Sequence, residues 1–360
     1  MTRSPWDRGP LGRSPSERAS GPRSQVVPSR AQVAWGVALA VVLALPLLDQ
    51  ALPARAALTE RVAPILLFAI LGLGLTVVSG FTGLLNLGAA AFMALGAYAF
   101  SILTCPIYPF QVGFWPGLIA ATVVGAGAGA LVGLPAMRLR GDYLAIVTLG
   151  LGEIVQDVLK NLDVITKGTQ GINPVAAPSV GPWILPAAGR HYLLLALVLA
   201  AVWVCVALRR SRIGRAWEAV REDELAARCM GVATAQAKLG AFALGAALCG
   251  LGGGLYASLS NSSLDPGTYD FGRSVIILAI VIVGGLGSIG GALLGAVIMV
   301  GFDTILIDEI AKATSGESGS ARVWAQPGNW KFLVYGLALV LMMRFRPDGM
   351  LPAHAHKAAL

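Results

Sequence analysis

Two groups of residues in this chain have types and spacings that could do chemistry. The first is a set of polar side chains within otherwise apolar runs: Asn86, Thr148, Glu153, Gln156 and the neighbouring Asp157. Glu153 and Asp157 stand four residues apart, on one face of a helix, and Lys160 follows one turn after Asp157. An ionisable group at membrane depth is costly and faces a bundle interior or a wet cavity. One reading is therefore a polar lining of a translocation path, with Asn86, Thr148, Glu153 and Gln156 as the candidates. The other places Asp157 and Lys160 at the exterior interface, with Glu153 alone buried and bonded to a neighbouring helix.

The second group is the stretch SRIGRAWEAVREDELAARCMG, Ser211 to Gly231, the most charged segment of a largely apolar chain. Ile213, Trp217, Val220, Ala227 and Met230 recur at helical steps, and Glu224 with Arg228 forms an i,i+4 pair, which predicts an amphipathic helix. Something must cover its apolar face. Lipid headgroups would do so for an interfacial helix, and a groove on a cytoplasmic partner would do so for a docking helix.

Other chemistries lack their residues. The chain has no G-x-x-x-x-G-K-[ST], no H-E-x-x-H and no G-x-S-x-G, so ATP that drives transport must be bound by another subunit. The four cysteines are scattered, and two of the three histidines lie in the last seven residues, which argues against a metal site. GGLGSIGG, Gly284 to Gly291, contains G-x-G-x-x-G at Gly285, Gly287 and Gly290. A dinucleotide site needs that pattern inside a βαβ unit, which membrane helices cannot supply. The break glycines Gly284, Gly285, Gly287 and Gly290 instead predict a tight interruption between two short spans. Gly125, Gly129 and Gly133, and also Gly291 and Gly295, have the small-xxx-small spacing that permits close helix packing.

The elements that must position these groups are transmembrane helices. Only 13% of the 360 residues are charged, 56% are hydrophobic and 45 are glycine, a composition for an all-α polytopic membrane protein. Apolar runs predict about 8–10 spans, some short or discontinuous, near 33–48, 62–79, 84–104, 114–135, 143–159, 191–208, 239–259, 274–286, 289–306 and 331–343. Residues 1–30, with six arginines against Asp7 and Glu17, predict a disordered basic cytoplasmic tail. Residues 31–352 form the membrane domain, with a cytoplasmic loop at 209–238, and 353–360 form a cytoplasmic tail. An alternative makes 33–48 the core of a signal peptide cleaved after Ala54-Arg55-Ala56. The net charge of +8 comes from basic loops and tails on one side, which reads as membrane orientation and argues for no nucleic-acid partner.

Ser274 to Phe302 carries no charge over 29 residues. As one helix it would be about 44 Å long, against about 30 Å of hydrocarbon. A break at Gly284 to Gly291 gives an even number of spans, leaving the acidic loop 303–322 outside and the basic C-terminal tail inside.

The segment Glu224-Leu225-Ala226-Ala227-Arg228-Cys229-Met230-Gly231 resembles the E-x-A-A-x-x-x-G loop of ABC importer permeases. GDYLAIVTLGLGEI (Gly141 to Ile154), GGLGSIGGALLGA and the closing RPDGMLP (Arg346 to Pro352) extend the likeness, in the family's order, to LivM-type permeases of branched-chain amino acid importers. The similarity covers about Val62 to Pro352. It implies a chain without catalytic residues or bound cofactor in a bacterial inner membrane. It further implies a homologous LivH-type permease as partner, two cytoplasmic ATPases that bind ATP and Mg, and a periplasmic substrate-binding protein. Glu224, Ala226, Ala227, Arg228 and Gly231 would form the ATPase-coupling element, with small residues allowing close approach and Gly231 turning the chain out of the helix.

Two departures from the family stand out, the first in a segment that would bear on substrate preference if it lines the path and the second in a loop placed outside, near where a binding protein would dock. Where the family has a motif resembling G-Q-I-S-L-G-H-A-A-F, this chain has Leu84, Asn86 and Ala89 at the three polar positions, and in ITKGTQGI it has Lys167 where glycine is usual. Urea and short-amide permeases are related, so those substrates stand beside branched-chain amino acids. A self-sufficient secondary transporter using Glu153 as a proton site would also suit helix breaks, but it has no need of the cytoplasmic helix. A membrane scaffold without transport accounts for neither the polar groups nor the breaks.

Overall fold

A computed structural model describes residues 40–46, 49, 58–136, 142–180, 183–259, 264–307 and 327–351. The chain divides into two units, 1–45 and 46–360. Of the first, the described residues 40–45 are helical. The basic tail 1–30, most of the predicted span 33–48, Arg138, Arg140 and the acidic residues after Asp303 lie outside the described residues.

Among the described residues the regular structure of the second unit is helical apart from one two-stranded hairpin and an isolated bridge between Ile172 and Leu264. Its helices are α1 (Leu58–Leu75), α2 (Ala89–Thr104), α3 (Phe114–Ala136), α4 (Asp142–Asn161), α5 (Asp163–Thr166) and α6 (Ala187–Arg210). They are followed by α7 (Arg212–Glu222), α8 (Glu224–Cys229), α9 (Thr234–Leu259), α10 (Phe271–Gly284), α11 (Ile289–Gly301) and α12 (Pro327–Phe345). Strands β1 (Ser179–Val180) and β2 (Trp183–Ile184) pair antiparallel between α5 and α6. Among the described residues four helical stretches are long and apolar enough to cross a membrane: Thr59–Phe81, Phe114–Pro135, Ala187–Arg210 and Thr234–Leu259. Four shorter apolar helices accompany them: Ala89–Thr104, Phe271–Gly284, Ile289–Ile305 and Phe332–Phe345.

α1 is the central helix. Its apolar window is 83% buried within the protein, against 33% for α3 and for α6, and Ile70, Leu71 and Leu73 are wholly enclosed. The helices meet through glycine, because apolar surface alone gives little drive to association in lipid and close backbone approach must supply the packing. A Cβ on Gly74 of α1 would lie 2.7 Å from the Gly245 carbonyl oxygen of α9, and one on Gly125 of α3 would lie 2.6 Å from that of Ala246. Gly129 and Gly133 continue the α3 stripe against Phe242 and Leu239, and Gly291 packs α11 against Gly284 of α10. The small-xxx-small spacing read from the sequence is thus used for helix crossings.

The run 274–302 is two helices, as its length requires. α10 and α11 are separated by Gly285–Ser288, with Gly285 at φ 124° and Gly287 at φ 83°, and the Ser288 side chain accepts from the Gly291 N–H at 3.1 Å to start α11. The predicted break is narrower than drawn. Gly284 closes α10 and Gly290 is already inside α11, so only Gly285 and Gly287 occupy backbone that favours glycine. The closing motif acquires a structural role here. Met350 and Leu351 donate their N–H groups to the Val283 and Gly284 carbonyls at 3.0 and 2.9 Å, satisfying acceptors that the end of α10 leaves open.

Two other boundaries differ from expectation. α1 continues as a π-helical turn, Thr76–Phe81, and residues 82–88 are not helical, so the span drawn from Leu84 begins only at Ala89. Gly83 at φ 71° turns the chain, and Gly88 lies so close to the Thr148 carbonyl of α4 that a Cβ would stand 2.5 Å away. The stretch Ser211 to Gly231 is two helices rather than one. Asp223 interrupts it in an extended conformation and caps α8, its Oδ1 accepting from Leu225 and Ala226 N–H at 2.8 and 3.0 Å.

Candidate coupling element and translocation face

α7 begins at a Ser211 cap whose Oγ accepts from Ile213 and Gly214 N–H at 3.2 and 3.3 Å. Its apolar face is covered by the protein's own spans. Trp217 is fully buried, stacks on Phe81 with ring centroids 6.3 Å apart, and donates its indole N–H to the Ala237 carbonyl at 2.8 Å. Val220 and Ala227 join the same cluster, which runs on into Leu73 and Val77 of the central helix stretch, Cys205 of α6 and Ala292 of α11. This overturns both covers read from the sequence for that face, lipid headgroups and a groove on a partner. It also corrects two members of the predicted stripe: Ile213 is 50% and Met230 84% exposed. The helix break at Asp223 resets the rotation before Met230, whereas Ile213 precedes the break and lies exposed in the first turn of α7.

α8 is fastened at both ends. Gly231, at φ 85°, closes it in a Schellman arrangement: Val232 N–H donates to Ala227 O at 3.0 Å and Gly231 N–H to Arg228 O at 3.1 Å. Glu224 sits between two cations. Oε1 accepts from Arg228 Nη2 at 3.1 Å, and Oε2 accepts from Lys238 Nζ of α9 at 2.7 Å. Lys238 is almost wholly buried, with 3% of its side chain exposed. Arg228 Nη2 also reaches Thr234 Oγ1 at 3.3 Å. Of the predicted coupling residues, Ala227 therefore faces inward, while Ala226, Arg228 and Gly231 lie on the exposed side with Leu225, Cys229 and Met230. The outward surface of α8 is mixed, with Leu225 and Met230 projecting beside Ala226, Cys229 and the charged Arg228.

The structure brings Asn86 and Thr148 together and keeps Glu153 and Gln156 apart from them. Thr148, fully buried, accepts the Leu87 N–H at 3.0 Å and donates to Ala145 O at 3.0 Å; Asn86 Oδ1 accepts the Gly88 N–H at 2.9 Å. Thr148 holds the unwound segment 82–88 against α4 and Asn86 fastens a turn within that segment, which leaves Gly83 and Leu85 exposed. Gln156 is buried and donates to the Pro266 carbonyl at 3.2 Å, tying α4 to the loop before α10. Glu153 is exposed, contrary to the reading in which it alone is buried, and it shares an outward face of α4 with Tyr143, Ile146, Ile154 and Asp157. Lys167 adopts a left-handed conformation with φ 60° at the end of α5, the backbone state that suits glycine at that position.

Sequence reasoning missed Lys238, Arg221 and the caps. Ser211 and Asp223 were detectable as capping types just before helical runs. Lys238 and Arg221 had no local signal, since their partners are non-local. Among the described residues no group of three His, Cys, Asp or Glu side chains is placed to hold a metal ion.

The family described as the permease component of branched-chain amino acid transport systems matches residues 60–343. The chain is similar to the high-affinity branched-chain amino acid permease protein LivM of Salmonella typhimurium, 38% identical over 311 residues, 80% of this chain and 68% of that protein. The LivM protein of Escherichia coli K12 is 37% identical over the same shares. The LivH permease of Salmonella typhimurium is 22% identical over 307 residues, 79% of this chain and 91% of that protein. No solved structure matches the chain. On the family match over residues 60–343 and the LivM relatives, this chain belongs to the permease-component family of branched-chain amino acid transport systems.

Proposed function

We propose that this chain is one of two permease subunits of an ATP-binding-cassette importer in a bacterial inner membrane, carrying branched-chain amino acids delivered by a periplasmic binding protein. A LivH-type permease is its membrane partner. Two cytoplasmic ATPases bind ATP and Mg, and the chain itself binds no cofactor. The observation that carries this reading is the α7–α8 element: a helix pair rooted among the protein's apolar helices by Trp217, with exposed apolar side chains at Leu225, Ala226 and Met230. A helix that already satisfies its buried face and still offers apolar surface fits a partner groove. Glu224, Ala226, Ala227, Arg228 and Gly231 hold and present that surface.

The outward face of α4 supports the membrane partner. Glu153 and Asp157 on it would be costly against lipid, so the face suits a water-filled path or a second permease. The open backbone at Gly83 to Leu85 is the other contribution we assign to the path, with Asn86 and Thr148 shaping it.

The test is purification of the chain from native membranes in mild detergent. Expected are a second permease and two nucleotide-binding ATPases in the complex, with uptake of leucine, isoleucine or valine into liposomes that requires ATP and the binding protein. A homo-oligomer that transports without ATP would refute the proposal. Uptake of urea or short amides by the assembled complex would retain the assembly and replace the substrate.

A further inference from the structure

Arg221 lies on α7, is exposed for much of its length and has no part in the apolar face that roots the helix. Its guanidinium nevertheless reaches into the membrane domain. Nη1 donates to the Gly80 carbonyl at 2.6 Å, an acceptor at the C-terminal end of the π-helical turn that prolongs α1. Carbonyls there have no intrahelical partner and carry the negative end of the helix dipole, so an arginine bond to one is charge-assisted.

The same nitrogen touches a second segment. A Cβ on Gly287, in the α10–α11 break, would stand 2.6 Å from Arg221 Nη1, and one on Gly83 would stand 3.1 Å from Arg221 Cγ. Gly80 and Gly287 themselves meet: a Cβ on Gly80 would lie 2.7 Å from both the N and the Cα of Gly287. Three glycines on two distant stretches therefore form a notch, and the Arg221 side chain lies in it. The other end of α1 contributes Thr59, Pro64, Leu67 and Phe68 to a cavity of about 270 Å³. The helix fastened by Arg221 thus extends from the coupling element to that cavity.

We propose that Arg221 is a positioning residue for coupling, pinning α7 to the end of the central helix and to the α10–α11 break so that the three move together when the ATPases close. This rests on the importer reading above. The planar guanidinium can bond Gly80 while lying flat against Gly287, whereas a lysine ammonium offers a point charge and cannot do both.

The experiment uses the complete complex, with its binding protein, in liposomes, and measures uptake and ATP hydrolysis together for Arg221→Met and Arg221→Lys. Arg221→Met is expected to leave assembly intact and lower uptake per ATP hydrolysed about tenfold, within the usual range of coupling between sites. Lys recovers part of the ratio. An unchanged ratio in Arg221→Met overturns the proposal, as does a fall in uptake matched by an equal fall in hydrolysis. Loss of assembly in both Arg221 variants also overturns it, since Arg221 would then be a folding residue. If the parental complex neither hydrolyses ATP on addition of binding protein nor takes up substrate, the importer reading fails instead.

Discussion

Replacing Glu224 with alanine tests how the coupling element is held. Lys238, 3% exposed, would lose the carboxylate 2.7 Å away and remain as a buried ammonium. Breaking one side of a buried ion pair costs about 3–5 kcal/mol, and because the Glu224 side chain keeps 29% exposure, the lower end, about 3 kcal/mol, applies. The second pair adds little. Arg228 is 60% exposed, and exposed helical pairs contribute about 0.3–0.5 kcal/mol.

A local destabilisation of about 3 kcal/mol raises amide exchange through opening roughly a hundredfold. Hydrogen exchange measured on the peptide spanning α7 and α8 reads this directly, without requiring transport. Glu224→Ala is expected to show that acceleration and Arg228→Ala about a twofold one. The double variant Glu224→Ala with Lys238→Met removes both charges and leaves an apolar side chain in an apolar site, so it should return to within about tenfold of the parent. Exchange in the double variant as fast as in Glu224→Ala would refute the argument, because the cost would then not come from the stranded ammonium.

Gly231→Val forces a β-branched residue to φ 85°, costing about 1–3 kcal/mol, and should reduce ATP-driven uptake, while Gly231→Asn, which tolerates that conformation, retains most of it. A cysteine at Ser288 should react with impermeant thiol reagents only from the cytoplasmic side, since the break packs beside Arg221 of the coupling helix; labelling from outside would reverse the topology. Glu153→Gln should lower uptake with expression unchanged if the exposed face of α4 lines the path, and uptake equal to the parent would remove Glu153 from it.

Much of the architecture is legible in sums over neighbouring residues. Run length against bilayer thickness located the four long spans, drawn at 62–79, 114–135, 191–208 and 239–259, to within about five residues, while the span drawn at 143–159 is a helix that is not among those apolar enough to cross. The uncharged 29-residue stretch had to break, and glycines at four-residue spacing marked helix crossings before any contact was known. Helix existence depends on local apolar content, and the α7–α8 stretch stood out by its charge. The candidate site was less legible. Asn86 was drawn inside a helix because the segment Leu84 to Leu87 is apolar around it, yet the backbone there is unwound and held by Thr148, 61 residues from its Leu87 partner. Glu153 and Gln156 lie on the same apolar run, three residues apart. One is exposed and the other buried, and hydropathy averages over that difference.

What the sequence by itself determined is therefore the class of protein, its longest spans, the break within 274–302 and the charged helical stretch after α6, all consequences of desolvation cost and backbone geometry within one segment. Only the tertiary structure decided which side chains meet. Glu224 finds Lys238 14 residues away and Arg221 finds Gly80 141 residues away. Each pairing depends on the rotation of one helix relative to another. A change of one residue in helical phase turns a side chain by about 100°, so no local property of either partner could have fixed it.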